Sequence, residues 1–413
     1  MISASLVLSA VLVGLLIGQG IALCLFGRQF YVAAPRQNLS DGHQKITTVM
    51  PVRGGGRRLR QAIQSLVNQT YSNATLLIVV DSVQDPAFSI ARDTIKNFPE
   101  ERVRVTVLHD RRPHCGMVCS SLLQSLSECD DDTEIITFAA ADTVLPCGWL
   151  EEIESVLSRP DVGATLGNRW YRPGNNAGSL VLFLWNAGAT IPMWLYQIPW
   201  AGALGLRCRD LEPTGLLEIW QRTIVEDTPV MLAMKNQNKK MAYSPQLIVP
   251  VDEEMDLRGC IEFISRQLLW TRLYHPCWCH VAAAAVSGAL AVWLPFLLGL
   301  LAAVFQNFQL SGFFLAMGCL YVLGLFVFVI VLNRFVNRSL VNRGEPEVSL
   351  GISTLCKLLV LIPVAQIVSL VGICFVMFRR EVWWSGIRYR IDSSGKVTWD
   401  DLSDKTIGQM SKG

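Results

Sequence analysis

Three acidic marks stand out in a charge-poor chain: Asp81, Asp142 and the pair Glu226-Asp227. Asp81 closes the apolar run Leu76-Leu77-Ile78-Val79-Val80, and Asp142 follows Ile135-Ile136-Thr137-Phe138-Ala139. A carboxylate at the carboxyl end of a strand in an open α/β sheet sits in the ligand crevice. There Asp81 would accept a hydrogen bond from a nucleotide base or ribose. Asp142 comes after Ala139-Ala140-Ala141, small residues that let a phosphate-bearing ligand approach the backbone. A hard divalent cation bridging two phosphates needs only one or two carboxylates, because phosphate and water complete its shell. Asp227 would be a general base, taking the proton of an attacking hydroxyl. Arg266 and Trp270 lie four apart, on one face of a helix. Trp270 could stack on a sugar or an acceptor, and Arg266 could offset the charge of a departing diphosphate.

Each of these has a blander alternative. A strand-end Asp often caps a turn, and Asp85-Pro86 beside Asp81 is an ordinary turn initiator. Glu226-Asp227-Thr228-Pro229 reads equally as a helix start. Arg266 and Trp270 suit a helix that snorkels at a membrane surface.

The elements that must position these residues follow from composition and periodicity. The chain has 413 residues, 51% hydrophobic and 17% charged, with a mean hydropathy of +0.35. Soluble domains carry nearer a quarter charged residues, so part of the chain belongs in lipid. No charge occurs in 1–27, 273–333 or 358–378, windows long enough to cross the hydrocarbon core. Residues 4–26 read as an uncleaved anchor, since Arg28 and Arg36 follow the apolar core instead of preceding it. The positive-inside rule then places residue 28 onward in the cytoplasm.

From Lys45 to Pro250, strand-like runs (46–50, 76–80, 103–108, 134–139) alternate with helical spacing (58–69, 90–97, 118–126). That alternation predicts βαβ units and a mostly parallel sheet. Residues 181–204 are apolar but carry Pro192, Pro199 and several glycines, which favours broken segments at the interface over a spanning helix. Phe263–Trp278 has the composition of a helix on the membrane surface. A hairpin of helices at 281–305 and 312–333 follows, with Arg334, Arg338 and Arg343 returning the chain to the cytoplasm. In 358–378, Pro363 could split the run into a re-entrant hairpin and keep the basic tail inside.

The net charge of +2 comes with no basic stripe of interleaved aromatics, which excludes a nucleic-acid surface. The 12 cysteines match no zinc spacing, Cys277-x-Cys279-His280 included, and read as free thiols.

Several runs resemble inverting family 2 glycosyltransferases. These are Pro51-Val52-Arg53, Ser65-Leu66-Val67-Asn68-Gln69-Thr70-Tyr71, and Leu77-Ile78-Val79-Val80-Asp81. Asp142-Thr143-Val144-Leu145-Pro146 with Trp149-Leu150 is similar to that family's metal segment, and Val225-Glu226-Asp227-Thr228 to its base motif. The ceramide glucosyltransferase-like branch is suggested by Asp85-Pro86-Ala87, Gly167-Asn168-Arg169-Trp170-Tyr171, Trp200-Ala201-Gly202, Arg266-Gln267-Leu268-Leu269-Trp270 and Trp384-Ser385-Gly386-Ile387-Arg388-Tyr389-Arg390.

The resemblance implies an α/β GT-A fold (Rossmann-like, mostly parallel sheet) with N-terminal and C-terminal transmembrane helices. It divides the chain into an anchor (1–27), a cytoplasmic GT-A domain (28–258), an interfacial amphipathic helix (259–280), membrane helices (281–378) and a basic cytoplasmic tail (379–413). The donor would be a UDP-sugar, glucose by default, and the acceptor a lipid in the bilayer. By position, Asp81 contacts the nucleotide and Asp142 the nucleotide-sugar and a divalent cation (Mg2+ or Mn2+). Asp227 is the base, and Arg266 with Trp270 is what remains of the (Q/R)-x-x-R-W motif.

Two departures matter. Ala140 stands where the family carries a first Asp, and Leu269 where it carries Arg. Arg272, one turn along, is a candidate substitute. The departures motivate a catalytically inactive membrane scaffold as a second reading. A processive polysaccharide synthase is a third, and lacks the channel helices and intact motif it would need.

Overall fold

A computed structural model of the chain describes residues 2–31, 44–392 and 395–401; Arg36 and the tail beyond 401 lie outside the described residues. After helix α1 (Ile2–Arg28) come β1 (Ile46–Val52), α2 (Leu59–Val67), β2 (Ala74–Val80), α3 (Pro86–Ile95), β3 (Val103–Val107), α4 (Met117–Glu128), β4 (Ile135–Phe138) and α5 (Trp149–Leu157). Next are β5 (Val162–Leu166), β6 (Arg169–Tyr171), α6 (Ala177–Tyr196), β7 (Gly205–Arg207), α7 (Cys208–Leu211), α8 (Leu216–Trp220), α9 (Val230–Asn236), β8 (Lys240–Tyr243) and β9 (Val249–Val251). Long helices α10 (Leu257–Tyr274), α11 (Trp278–Val304), α12 (Phe308–Asn342) and α13 (Ile352–Phe378) precede strands β10 (Glu381–Trp384), β11 (Ile387–Ile391) and β12 (Val397–Asp401).

The main sheet has the order β3-β2-β1-β4-β7-β5-β8. It is parallel except at β7, which runs against both β4 and β5. This is a GT-A-like sheet, and the expected α/β class holds. Its strands read as unbroken apolar runs because both faces are covered, one cluster centred on Met50, Ile78 and Trp149, the other on Val49, Phe138 and Trp220. Because β2, β1 and β4 are neighbours, the chain ends following them share one edge of the sheet. Asp81, Arg53 and Asp142 therefore emerge side by side.

Asp85-Pro86 initiates a helix, not a bare turn. The Asp85 carboxylate accepts from Ala87 N as an N-cap, and Pro86 takes the first helical position, where a missing N–H costs nothing.

Among the described residues, five helices are long and apolar enough to cross a membrane: α1, α6, α11, α12 and α13. The expectation of broken segments across 181–204 is overturned for its first two thirds. Residues 177–196 form one helix, Pro192 falling near its end, and much of α6 is buried inside the protein. The α11–α12 hairpin is as expected, close-packed where Gly299 meets Leu315 and Gly318 meets Phe296. Helix α1 runs parallel to α12: Ser9 bonds to Met317, Gln19 to Tyr321, and Gly27 lies against Phe335. The Arg28 end of α1 therefore lies on the same side as the α12 end that carries Arg334, Arg338 and Arg343.

The re-entrant hairpin at Pro363 is also overturned, since α13 is one continuous helix. Its flanks nevertheless both lie on the catalytic-domain side. Before it, Val348 is held by the Asn333 and Asn337 side chains, and Asn333 accepts from Trp170 of β6. After it, Arg272 of α10 donates to the carbonyls of Val376, Met377 and Arg379. Residues 381–401 are then no loose tail. They form an antiparallel three-stranded sheet whose core residues Val382, Ile387, Tyr389 and Val397 join the cluster of the membrane helices.

Candidate active site

At the end of β2 the Asp81 carboxylate is only 6% exposed and lies between two arginines. Arg53, from the end of β1, donates to Oδ2 at 2.7 Å, and Arg111, beyond β3, pairs with the other oxygen. The C-terminal sheet forms one wall of this end of the site. The Tyr389 hydroxyl accepts from Met117 N at 3.2 Å, and Trp399 Nε1 donates to Arg112 O at 3.0 Å. The tight turn Ser385-Gly386, with φ of 49° and 78°, sets its tip beside Arg53. Positive φ at both central residues is the geometry of a two-residue hairpin turn.

Asp142 is exposed in the loop after β4 and takes one hydrogen bond, from Thr143 Oγ1 at 3.0 Å. Among the described residues, no three His, Cys, Asp or Glu side chains gather as a metal site. Asp142 does have Glu253 within electrostatic reach, and burial followed by the Asp142 charge raises the Glu253 carboxyl above its usual range. One or two accessible carboxylates beside a phosphate-bearing ligand fit a hard divalent ion.

Glu226 and Asp227 occupy the loop between α8 and α9, so the helix-start reading and the functional one coincide. Asp227 Oδ1 accepts from Thr228 N at 2.6 Å and from Thr228 Oγ1 at 2.9 Å, and Oδ2 accepts from Ala201 N at 3.1 Å. Burial pushes Glu226 up to about 8, with the neighbouring Asp227 charge adding to it. Burial also raises Asp227, but its hydrogen-bond donors and Arg169 oppose the rise. Of the pair, Asp227 is the one whose charged form three donors address.

The loop is held from two sides. Ile224 N donates to the Tyr274 hydroxyl of α10 at 3.0 Å, and Gly116 N donates to Thr223 O at 2.8 Å. Gly116 is required there, because a Cβ would run into the Ile224 carbonyl.

Arg169 of β6 was missed as a site residue. Its guanidinium lies 4.9 Å from the Trp200 ring centroid and donates to the Tyr171 hydroxyl at 3.1 Å. It feels the charges of both Asp142 and Asp227. Arg266, half-buried over Phe263, feels Arg169 and Asp142. Asp142, Asp227 and Arg266 thus all interact electrostatically with Arg169, while Asp81 stands with Arg53 and Arg111 at the ends of β1 to β3.

Trp270 is buried, its ring 6.3 Å from that of Trp384. Leu269 is fully buried in the core, and Arg272 caps the end of α13, which overturns the idea that Arg272 replaces the motif arginine. The signal for Arg169 was present in Asn168-Arg169-Trp170-Tyr171. In a short strand, alternation sends Arg169 to one face and Trp170 into the core.

Residues 47–183 match the sequence model of glycosyl transferase family 2, and residues 196–397 that of glycosyl transferase family 21. Together these matches support a family 2 glycosyltransferase. Similar solved structures include a Pyrobaculum calidifontis mannosyltransferase in complex with GDP-Man and Mn2+, at 14% identity, covering 90% of this chain and 99% of that one, with a TM-score of 0.48. Another is Mycobacterium tuberculosis glucosyl-3-phosphoglycerate synthase with Mn2+, UDP and phosphoglyceric acid, at 13% identity, covering 55% and 78%, with a TM-score of 0.37. Among curated proteins, none matches the chain.

Proposed function

We propose that the protein transfers a single sugar, glucose by default, from a UDP-sugar to the hydroxyl of a membrane lipid, with inversion at the anomeric carbon. The observation that carries this reading is Asp227. It is a carboxyl group addressed by three donors beside the buried Glu226, on a loop anchored to α10 and so to the membrane helices. In the reaction Asp227 takes the proton of the acceptor hydroxyl as that oxygen attacks the face opposite the leaving UDP. Asp81, with Arg53 and Arg111, receives the nucleoside end of the donor. Arg266 and Trp270 line the acceptor and diphosphate side. Asp142, with Glu253 near it, would hold Mg2+ or Mn2+, which when bound stabilises negative charge on the diphosphate.

The orientation follows from charge. Arg28, Arg334, Arg338 and Arg343 end helices on the side of the catalytic domain, which the positive-inside rule assigns to the cytoplasm. A catalytically inactive homologue is the second reading, favoured by Ala140 and by Leu269 in the core.

Membranes containing the full chain, given radiolabelled UDP-glucose, UDP-galactose or UDP-N-acetylglucosamine, discriminate the two. Label entering one organic-extractable product, and lost with EDTA and with Asp142→Ala, supports transfer. No label from any donor favours the inactive homologue, and labelled polymer would mean a processive synthase.

A further inference from the structure

Arg169 makes no ion pair at contact distance with a described residue, although it sits among the candidate site residues. Its two partners, the Tyr171 hydroxyl and the face of Trp200, are both uncharged. Among the described residues no carboxylate reaches ion-pair distance of it, although Asp142 and Asp227 both lie within its electrostatic field. Its Nε is buried with no hydrogen-bond partner. Beside it Trp200, 7% exposed, buries an Nε1 that likewise has no partner. Arg266 is drawn to the same region, where Arg169 repels it.

Asp142 and Asp227 favour the guanidinium charge from beyond contact distance, and a buried N–H left without an acceptor is costly, so such a group persists where a ligand supplies the acceptor. Two cations near enough to repel each other, with N–H groups left over on one of them, suit an anion of more than one charge. The planar guanidinium fork matches two phosphate oxygens.

We propose that Arg169, with the Trp200 Nε1–H beside it, is the seat of the donor's diphosphate, supplying the positive charge that Leu269 withholds from the motif. This rests on the reading of the site as a nucleotide-sugar transferase. It places the leaving group between Asp142 and Asp227, where charge builds as the sugar departs.

The test is calorimetric titration of the full-length protein in detergent with UDP, pyrophosphate and uridine, in EDTA and again with Mg2+. Arg169→Met is expected to weaken UDP and pyrophosphate about tenfold or more in both conditions, and to leave uridine unchanged. Arg169→Lys should fall between, and Trp200→Phe, which keeps the ring and loses the donor, should lose a few-fold. Equal binding of UDP and pyrophosphate by wild type and Arg169→Met overturns the assignment alone. Equal loss of all three ligands also overturns it, making Arg169 a scaffold residue. A wild-type protein that binds none of the three sinks the proposed function together with it.

Discussion

Replacing Asp227 by Asn removes one charge and one acceptor from a group that three donors address. Thr228 N and Thr228 Oγ1 reach Oδ1, and Ala201 N reaches Oδ2. An asparagine in the same place offers one carbonyl oxygen and one NH2. With the oxygen toward Thr228, the NH2 opposes the Ala201 N–H, and two donors face each other. Flipped, the hydroxyl of Thr228 can turn to accept, but its backbone N–H is stranded. Either way one buried N–H loses its partner, a cost of about 1–3 kcal/mol. Domains hold roughly 5–15 kcal/mol of stability, so the variant remains folded at room temperature and should melt a few degrees lower. The loss of a base is a separate and larger effect, about 10²–10⁴-fold in transfer. The assay is the initial rate of label entering lipid, normalised to folded protein, with a thermal melt alongside. Turnover within a few-fold of wild type would refute the assignment of the base. A melt unchanged from wild type would refute the hydrogen-bond reasoning while leaving the base in place.

Glu226 has a pKa raised from its ordinary 4.5 to about 8. The unfolded chain gives up this proton first, so stability should fall as pH rises from about 4.5 toward 8; Glu226→Gln should flatten that slope in melts run across pH. A slope unchanged by the substitution would show that Glu226 is not the buried acid. Gly116→Ala should cost about 1–3 kcal/mol, since the new methyl meets the Ile224 carbonyl, and should slow transfer by displacing the base loop. Stability and rate both at wild-type levels would count against that contact. Asp81→Asn leaves Arg53 and Arg111 short of a buried counter-charge, so it should destabilise by roughly 3 kcal/mol. It should also raise KM for the donor more than it lowers kcat, and a pure kcat effect would remove Asp81 from the nucleotide subsite.

The sheet was legible because its strands are short apolar runs between helical repeats, and both carboxylates at their ends, Asp81 and Asp142, lie where that pattern puts them. The sequence names Asp227 as the base of its pair, but the three donors that single it out from Glu226 come from Thr228 and from the distant Ala201, which only the fold brings there. The membrane region was harder. Proline and glycine in α6 and α13 argue locally for breaks, yet packing against neighbouring helices overrides that propensity. The residues after 380 looked like a basic tail because Arg388 and Arg390 dominate the composition. Their alternation with Ile387, Tyr389 and Ile391 is a strand signal that charge obscured. Arg169 was hidden for another reason. A lone arginine in a sequence carries no mark of an unpartnered N–H, and only the assembled site shows it.

The most direct test of the central claim is to reconstitute the purified full chain into vesicles of mixed membrane lipids, supply UDP-glucose, and weigh the lipids by mass spectrometry. A single lipid class gaining one hexose, with UDP released in equal amount and Asp227→Asn giving neither, is the predicted result. UDP-glucose bound but every lipid mass unchanged would contradict the account and leave a membrane protein that holds a nucleotide sugar without transferring it.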